Sequence, residues 1–211
     1  MSHKWIHATD PESGFFDELN QALEQFEKAY PMAFPDLRGE QSIYVVSDYG
    51  GEHKSARFEA QSFLFATSST ASNWIAKRQQ IRDLYLRDGR TMSYKGLGDQ
   101  RKRDALIPFL AAADSIDGLL LVVLIDKNVR SIFSRNERQL SKLPELKSLS
   151  NWTPKILEKA LRAVNIVGCA LNGLGAVGQS IAWISDQDNE SSEKRATGRV
   201  KTRDFFASKV K

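Results

Sequence analysis

The sequence predicts an α/β protein, a mixed sheet flanked by helices with an N-terminal helical arm. Three observations lead there. Two strand-like runs, Ser42 to Gly51 and Arg57 to Ala66, are separated by a short glycine-containing turn and read as a hairpin. The run Gly118 to Lys127, G-L-L-L-V-V-L-I-D-K, is apolar at successive positions, as a central strand covered on both faces must be. A long helical pattern from Thr153 then leads through a glycine-rich turn to a last strand, Ser180 to Ser185.

Taken in order, the arm and its helix occupy residues 1–40, the α/β domain 41–190 and a basic tail 191–211. Phe15, Phe16, Leu19, Leu23 and Phe26 recur at helical spacing, and Pro31 and Pro35 end that helix. In the first strand Ile43, Tyr44, Val45 and Val46 are β-branched or aromatic; Gly50-Gly51 supplies the turn. Ala71 to Leu86 forms a helix with Trp74, Ile75, Ile81, Leu84 and Tyr85 as its stripe, capped by Ser72 or Ser69. Arg90 to Tyr94 is read as a short third strand. Lys95 to Gly98 turns the chain, and Asp99 caps a helix ending near Ala113. Thr153 caps the long helix, with Pro154 at its first position.

Composition narrows the class. An apolar fraction of 41% and a charged fraction of 27% are those of an ordinary globular chain, and a net charge of +4 permits a polyanionic partner without demanding one. Cys169 stands alone in an apolar run, so an internal disulfide is excluded and a small buried hydrophobe is expected. One cysteine and three histidines do not make a structural zinc site. No signal peptide and no membrane span are visible, which points to the cytoplasm.

Two motifs bear on chemistry. Gly173, Gly175 and Gly178 match G-x-G-x-x-G, but a dinucleotide site needs a strand before the glycines and a helix after them. About eight residues separate Gly178 from Asp186, too few for a crossover helix, so a glycine turn is preferred. Asp48 and Asp186 are the better pair. Each ends an apolar strand and precedes turn residues, a position both rigid and reachable from solvent. On neighbouring strands their carboxylates converge and repel, which favours a bound Mg²⁺ or Mn²⁺. Asp188 and Glu52 are candidate additional ligands. Asp before Gly is also ordinary turn chemistry, and two unrelated strand-end aspartates remain the alternative. Lys95, Lys102 and Lys127 are candidates for phosphate contact, or simply solvated lysines. The basic segments Arg130 to Lys147 and Lys194 to Lys211 suit a nucleic-acid backbone or a mixed solvated surface.

S-D-Y-G-G after a strand, Y-K-G in mid-chain, V-V-L-I-D-K and W-I-S-D-Q-D-N-E together resemble a large bacterial family of uncharacterised proteins in the ribonuclease H-like superfamily, over roughly Ser42 to Glu190. The resemblance implies a ribonuclease H-like sheet and a metal-dependent nuclease or nucleic-acid-processing activity. Asp48 and Asp186 would be carboxylates of its site, Lys95 part of the Lys-Gly motif and Lys127 the end of the central strand. These four are the candidate catalytic residues; Asp48, Asp186, Asp188 and Glu52 are the candidate ligands for Mg²⁺ or Mn²⁺. Two departures stand out. The family has Glu before the mid-chain lysine where this chain has Tyr94, and it continues past W-I-S-D into a helical segment with another acidic residue, whereas this chain stops at Lys211. They support a second expectation, a non-catalytic interaction module or one half of a split protein completed by a second chain or a homodimer.

Overall fold

The computed structural model describes Trp5 and residues 14–129, 131–132 and 152–185. Its elements, in order, are α1 (Gly14–Ala29), β1 (Ser42–Gly50), β2 (Phe58–Ala66), α2 (Ser68–Tyr85), α3 (Gln100–Ala113), β3 (Leu119–Asp126), α4 (Pro154–Leu174) and β4 (Ser180–Ser185). The strand order is β3-β2-β1-β4. β2 runs antiparallel to both β1 and β3, and β4 lies parallel to β1. The expected α/β class is therefore present as a mixed sheet.

Alternation along the strands explains how the sheet is covered. Ile43, Val45 and Ser47 of β1 are buried while Tyr44, Val46 and Asp48 are exposed, the two-residue period of a strand with one covered face. Across the register, Phe63 and Phe65 of β2 join the buried side, and α4 closes over them with Ala163, Ile166, Val167, Ala170 and Leu174. α1 packs on α4 and adds Leu23; Phe34, Leu37 and Trp5 complete the cluster. Full burial of a side chain such as Phe63 or Phe65 stabilises the fold by about 1.5–3 kcal/mol. A second, smaller cluster joins Ile81 and Leu86 to Ala105 and Ala112, with Trp74 edge-on to Phe109, and holds α2 against α3.

The opposite side of the sheet is open. Its rows run Ile184–Val46–Leu64–Leu120 and Asp48–Ser62–Val122 across the register, and Val46, Leu120, Val122, Leu124 and Ile184 are all exposed. Here the structure corrects the sequence reading. The run from Gly118 to Lys127 is an edge strand rather than a central one, and only its Leu119, Leu121, Val123 and Ile125 side turns toward the core cluster. Continuous apolarity, normally the mark of two-sided cover, does not carry that meaning in β3. Two local expectations also change. Arg90 to Tyr94 is not a strand but an irregular link into a short 3-10 turn at Tyr94–Gly96. The cap of α2 is Thr67, not Ser69 or Ser72: its hydroxyl accepts from the Thr70 amide while the Thr67 amide donates to the Thr70 hydroxyl.

The glycine cluster acquires a packing explanation. Gly173 lies in the last turn of α4 with the Trp5 indole directly against it, so that an added Cβ would strike the ring. Trp5 is fixed in turn by a 2.7 Å hydrogen bond from its Nε1 to Glu27 and an edge-on contact with Phe34. Gly175 is the C-cap of α4, and Gly178, at φ +91°, turns the chain into β4. A helix precedes these glycines and a strand follows, the reverse of a dinucleotide fold. Cys169 of α4 is buried against α1, its Sγ 3.8 Å from the Phe16 carbonyl oxygen, and burial pushes its thiol pKa up to about 11.

Two glycines of α4 make a paired test. Gly173→Ala forces the Trp5 ring aside and should destabilise the protein by about 1–3 kcal/mol. Gly168→Ala meets nothing within 4 Å and should stabilise it by up to about 1 kcal/mol through helix propensity. Urea unfolding followed by far-ultraviolet circular dichroism measures both, and equal shifts would contradict the Trp5 packing.

Candidate functional site

β1, β3 and β4 all run in one direction, so their carboxyl ends meet at the same end of the sheet. Open α/β sheets bind ligands outside the carboxyl ends of their strands. A cleft of about 360 Å³ lies there, lined by Glu52 and Lys54 of the β1–β2 turn, Glu59 of β2, Ile125 of β3, Lys127 and Val129 beyond it, and Lys155, Glu158, Lys159 and Arg162 of α4. Five cations face three carboxylates. The first turns of α4 add the partial positive charge of a helix N-terminus.

A buried ion pair forms one wall. Glu158 and Arg162 are 3% and 5% exposed and stand one helical turn apart, with Arg162 Nε 2.8 Å from Glu158 Oε1. Burying two charges is costly unless their hydrogen-bonding capacity is used. Here it is used on the chain leaving β3: Glu158 accepts from the Ser131 hydroxyl at 2.8 Å and the Ile132 amide at 2.9 Å, and Arg162 Nη2 donates to the Val129 carbonyl at 3.1 Å. The pair thereby fastens the exit of β3 to α4.

The remaining cations divide into tethered and untethered. Lys159 pairs with Glu52 and lies 4.7 Å from the Tyr49 ring centroid. Lys127 Nζ donates to the His53 carbonyl at 2.7 Å, closing the β1–β2 turn over the end of β3. Lys54 and Lys155 have no carboxylate partner among the described residues, so both remain available to an anion. Just outside the cleft, Asp126 is held below the usual carboxylate range by hydrogen bonds from the Asn128 amide and the Arg57 side chain.

The sequence candidates separate. Glu52 and Lys127 come together in the cleft. Asp48 sits at the same end of the sheet but on the open face, its neighbour Ser47 turning inward to accept a hydrogen bond from Trp183 Nε1 at 2.9 Å. Its cross-strand partner is Ser62, and no cation pairs with it among the described residues. The neighbouring strands required for a carboxylate pair are present, since β1 and β4 are adjacent and parallel with Ser47 opposite Ser185. Asp186 and Asp188 lie outside the described residues. Lys95 is exposed in the 3-10 turn between α2 and α3 and does not line the cleft. Among the described residues, no three His, Cys, Asp or Glu side chains gather as a metal centre needs.

Sequence reading passed over Lys54, Glu59, Lys155, Glu158, Lys159 and Arg162. The signal was present in α4: positions 155, 158, 159 and 162 follow helical spacing and set a charged stripe inside an otherwise apolar helix. Comparison of the chain with known families, curated proteins and solved structures finds no match. No helix among the described residues is long and apolar enough to cross a membrane.

Glu158→Gln removes the buried carboxylate that pairs with Arg162 and should cost about 3–5 kcal/mol, whereas the exposed Lys155→Gln should stay within about 0.5 kcal/mol of the parent. Equilibrium denaturation of the two variants side by side distinguishes a structural pair from an incidental one.

Proposed function

We propose that this chain is a nucleic-acid-processing protein of ribonuclease H-like fold, which engages a phosphate backbone at the carboxyl ends of β1, β3 and β4 and uses Asp48 and Asp186 as ligands for Mg²⁺ or Mn²⁺. The observation that carries the reading is the parallel pairing of β1 with β4, in which Ser47 is opposite Ser185; the two strand-end aspartates are the residues that follow this pair in sequence. A three-stranded antiparallel meander whose first strand is joined by a parallel fourth supports the fold assignment.

The described residues supply one of the two carboxylates. Asp48 is exposed and without a cationic partner among them, which fits an oxygen ligand and not a structural ion pair. When bound, Mg²⁺ or Mn²⁺ supplies an activated water and stabilises the leaving oxygen of a phosphodiester. The chain's own part is electrostatic: Lys54 and Lys155 neutralise phosphates, and the first turn of α4 adds backbone N–H groups and dipole. A strand laid across the sheet end meets these cations on one side and Asp48 on the other. A second reading, a non-catalytic module completed by another chain, is favoured by the open apolar face of the sheet.

Isothermal titration of Mn²⁺ into the full chain tests the first reading, with Asp48→Asn and Asp186→Asn expected to abolish binding. Fluorescence anisotropy with a labelled single-stranded oligonucleotide tests the cleft: Lys54→Gln and Lys155→Gln together should weaken binding and lower the salt slope by about 0.7 for each phosphate that is no longer neutralised. Oligonucleotide binding without Mn²⁺ binding would favour the non-catalytic module, and the absence of both would overturn the proposal.

A further inference from the structure

The outer edge of β3 has the properties of a seam between two copies of the chain. Among the described residues it is an edge strand, and from Leu119 to Ile125 it carries no charge and no proline, the devices by which natural edges are protected against pairing. Leu120, Val122 and Leu124 are 63%, 49% and 63% exposed.

Hydrogen-bond parity defines which groups the edge offers. The Lys127 amide donates to the Arg57 carbonyl at 3.0 Å, so Arg57 and Lys127 form a hydrogen-bonded pair of the β2–β3 ladder. In an antiparallel ladder such pairs alternate, and Ile125, Val123, Leu121 and Leu119 therefore direct their amides and carbonyls toward β2. Leu120, Val122 and Leu124 direct theirs outward, along the open edge. A partner strand must satisfy these three residues.

We propose that two copies of this chain associate through antiparallel pairing of their β3 edges about a two-fold axis at Val122, joining the two sheets into one. Parity restricts a self-pairing to registers that match even-numbered positions with even-numbered ones. Centring on Val122 sets Leu120 against Leu124 of the second copy and Val122 against itself, and it satisfies every outward group of the three residues. On the α4 side the same register pairs Leu121 with Val123 and Leu119 with Ile125, all apolar. Moving the axis by one residue sets a carboxylate against an apolar side chain in either direction: Asp126 against Leu120 with the axis at Val123, and Asp117 against Ile125 with the axis at Leu121. The near-palindrome L-L-L-V-V-L-I thus selects one register. The occupant is a second copy because this edge matches itself in length, polarity and side-chain size, as an isologous contact requires.

The contact is short, so association in the micromolar range is expected. Sedimentation equilibrium of the full chain at about 100 μM should give twice the 23.7 kDa chain mass and return to the single mass on dilution. Val122→Pro removes only an outward N–H, which a free edge tolerates, and should give a folded monomer. Leu124→Lys should do the same by placing a charge at the seam, while Leu84→Lys on the exposed side of α2 should leave the dimer intact. Amide hydrogen exchange reads the seam without any substitution, since Leu120, Val122 and Leu124 should lose protection on dilution while Leu121 and Val123 keep theirs. A wild type that remains monomeric at this concentration, or a dimer that survives both Val122→Pro and Leu124→Lys, overturns the proposal.

Discussion

The placement of α4 is the constraint on which the remainder of the structure depends. Its apolar side closes over Ile43, Val45, Phe63 and Phe65, and without that cover the sheet would present two wet apolar faces. Apolar contact alone does not determine where along the sheet such a helix comes to rest. The Glu158–Arg162 pair supplies the missing specification, because its charges hydrogen-bond to Val129, Ser131 and Ile132 where the chain leaves β3. A buried pair of this kind is weak evidence for net stability, and its effect here is positional. It aligns the start of α4 with the carboxyl ends of the strands and so makes the cleft.

Covering one side only divides the molecule's chemistry in two. Charged groups concentrate at the end of the sheet, where the turn residues Glu52 and Lys54 meet α4. The uncovered side is apolar along its Ile184–Val46–Leu64–Leu120 row and reaches carboxylates nearer the strand ends, at Asp48 and Asp126. Asp48 and the cleft cations consequently share an end of the sheet but not a face. Any ligand that uses both must pass over the strand ends rather than lie within a single cavity.

Much of this architecture was legible in the sequence because it rests on local chemistry. The hairpin followed from β-branched runs around Gly50-Gly51, and Gly51 proves to need φ +79° with the Phe58 carbonyl pressed against the position of a side chain. The starts of α3 and α4 followed from Asp99 and Thr153, each of which accepts from a backbone amide three residues on. What could not be read depends on neighbours distant in sequence. Apolarity on both faces of β3 looks the same whether helices, a second strand or solvent stands beside it. Thr67 surpasses Ser69 and Ser72 as a cap because α2 begins at Ser68 rather than at Ala71, almost directly after β2 ends at Ala66. The cleft gathers separate stretches of chain, and only its α4 stripe had a periodicity to betray it. Of the strand-end carboxylates, the adjacency of their strands is observed, while Asp186 lies beyond the described residues.

Cys169 gives the fold an internal timer. Its thiol is wedged between α4 and the Phe16 carbonyl of α1, and a group whose pKa stands near 11 offers almost no thiolate at neutral pH. Alkylation must therefore wait until α1 lifts away from α4 and water reaches the sulfur. With no other cysteine in the sequence, the labelling rate of the intact chain reports the openings that free this one position, from the undocking of its first helix to the unfolding of the whole.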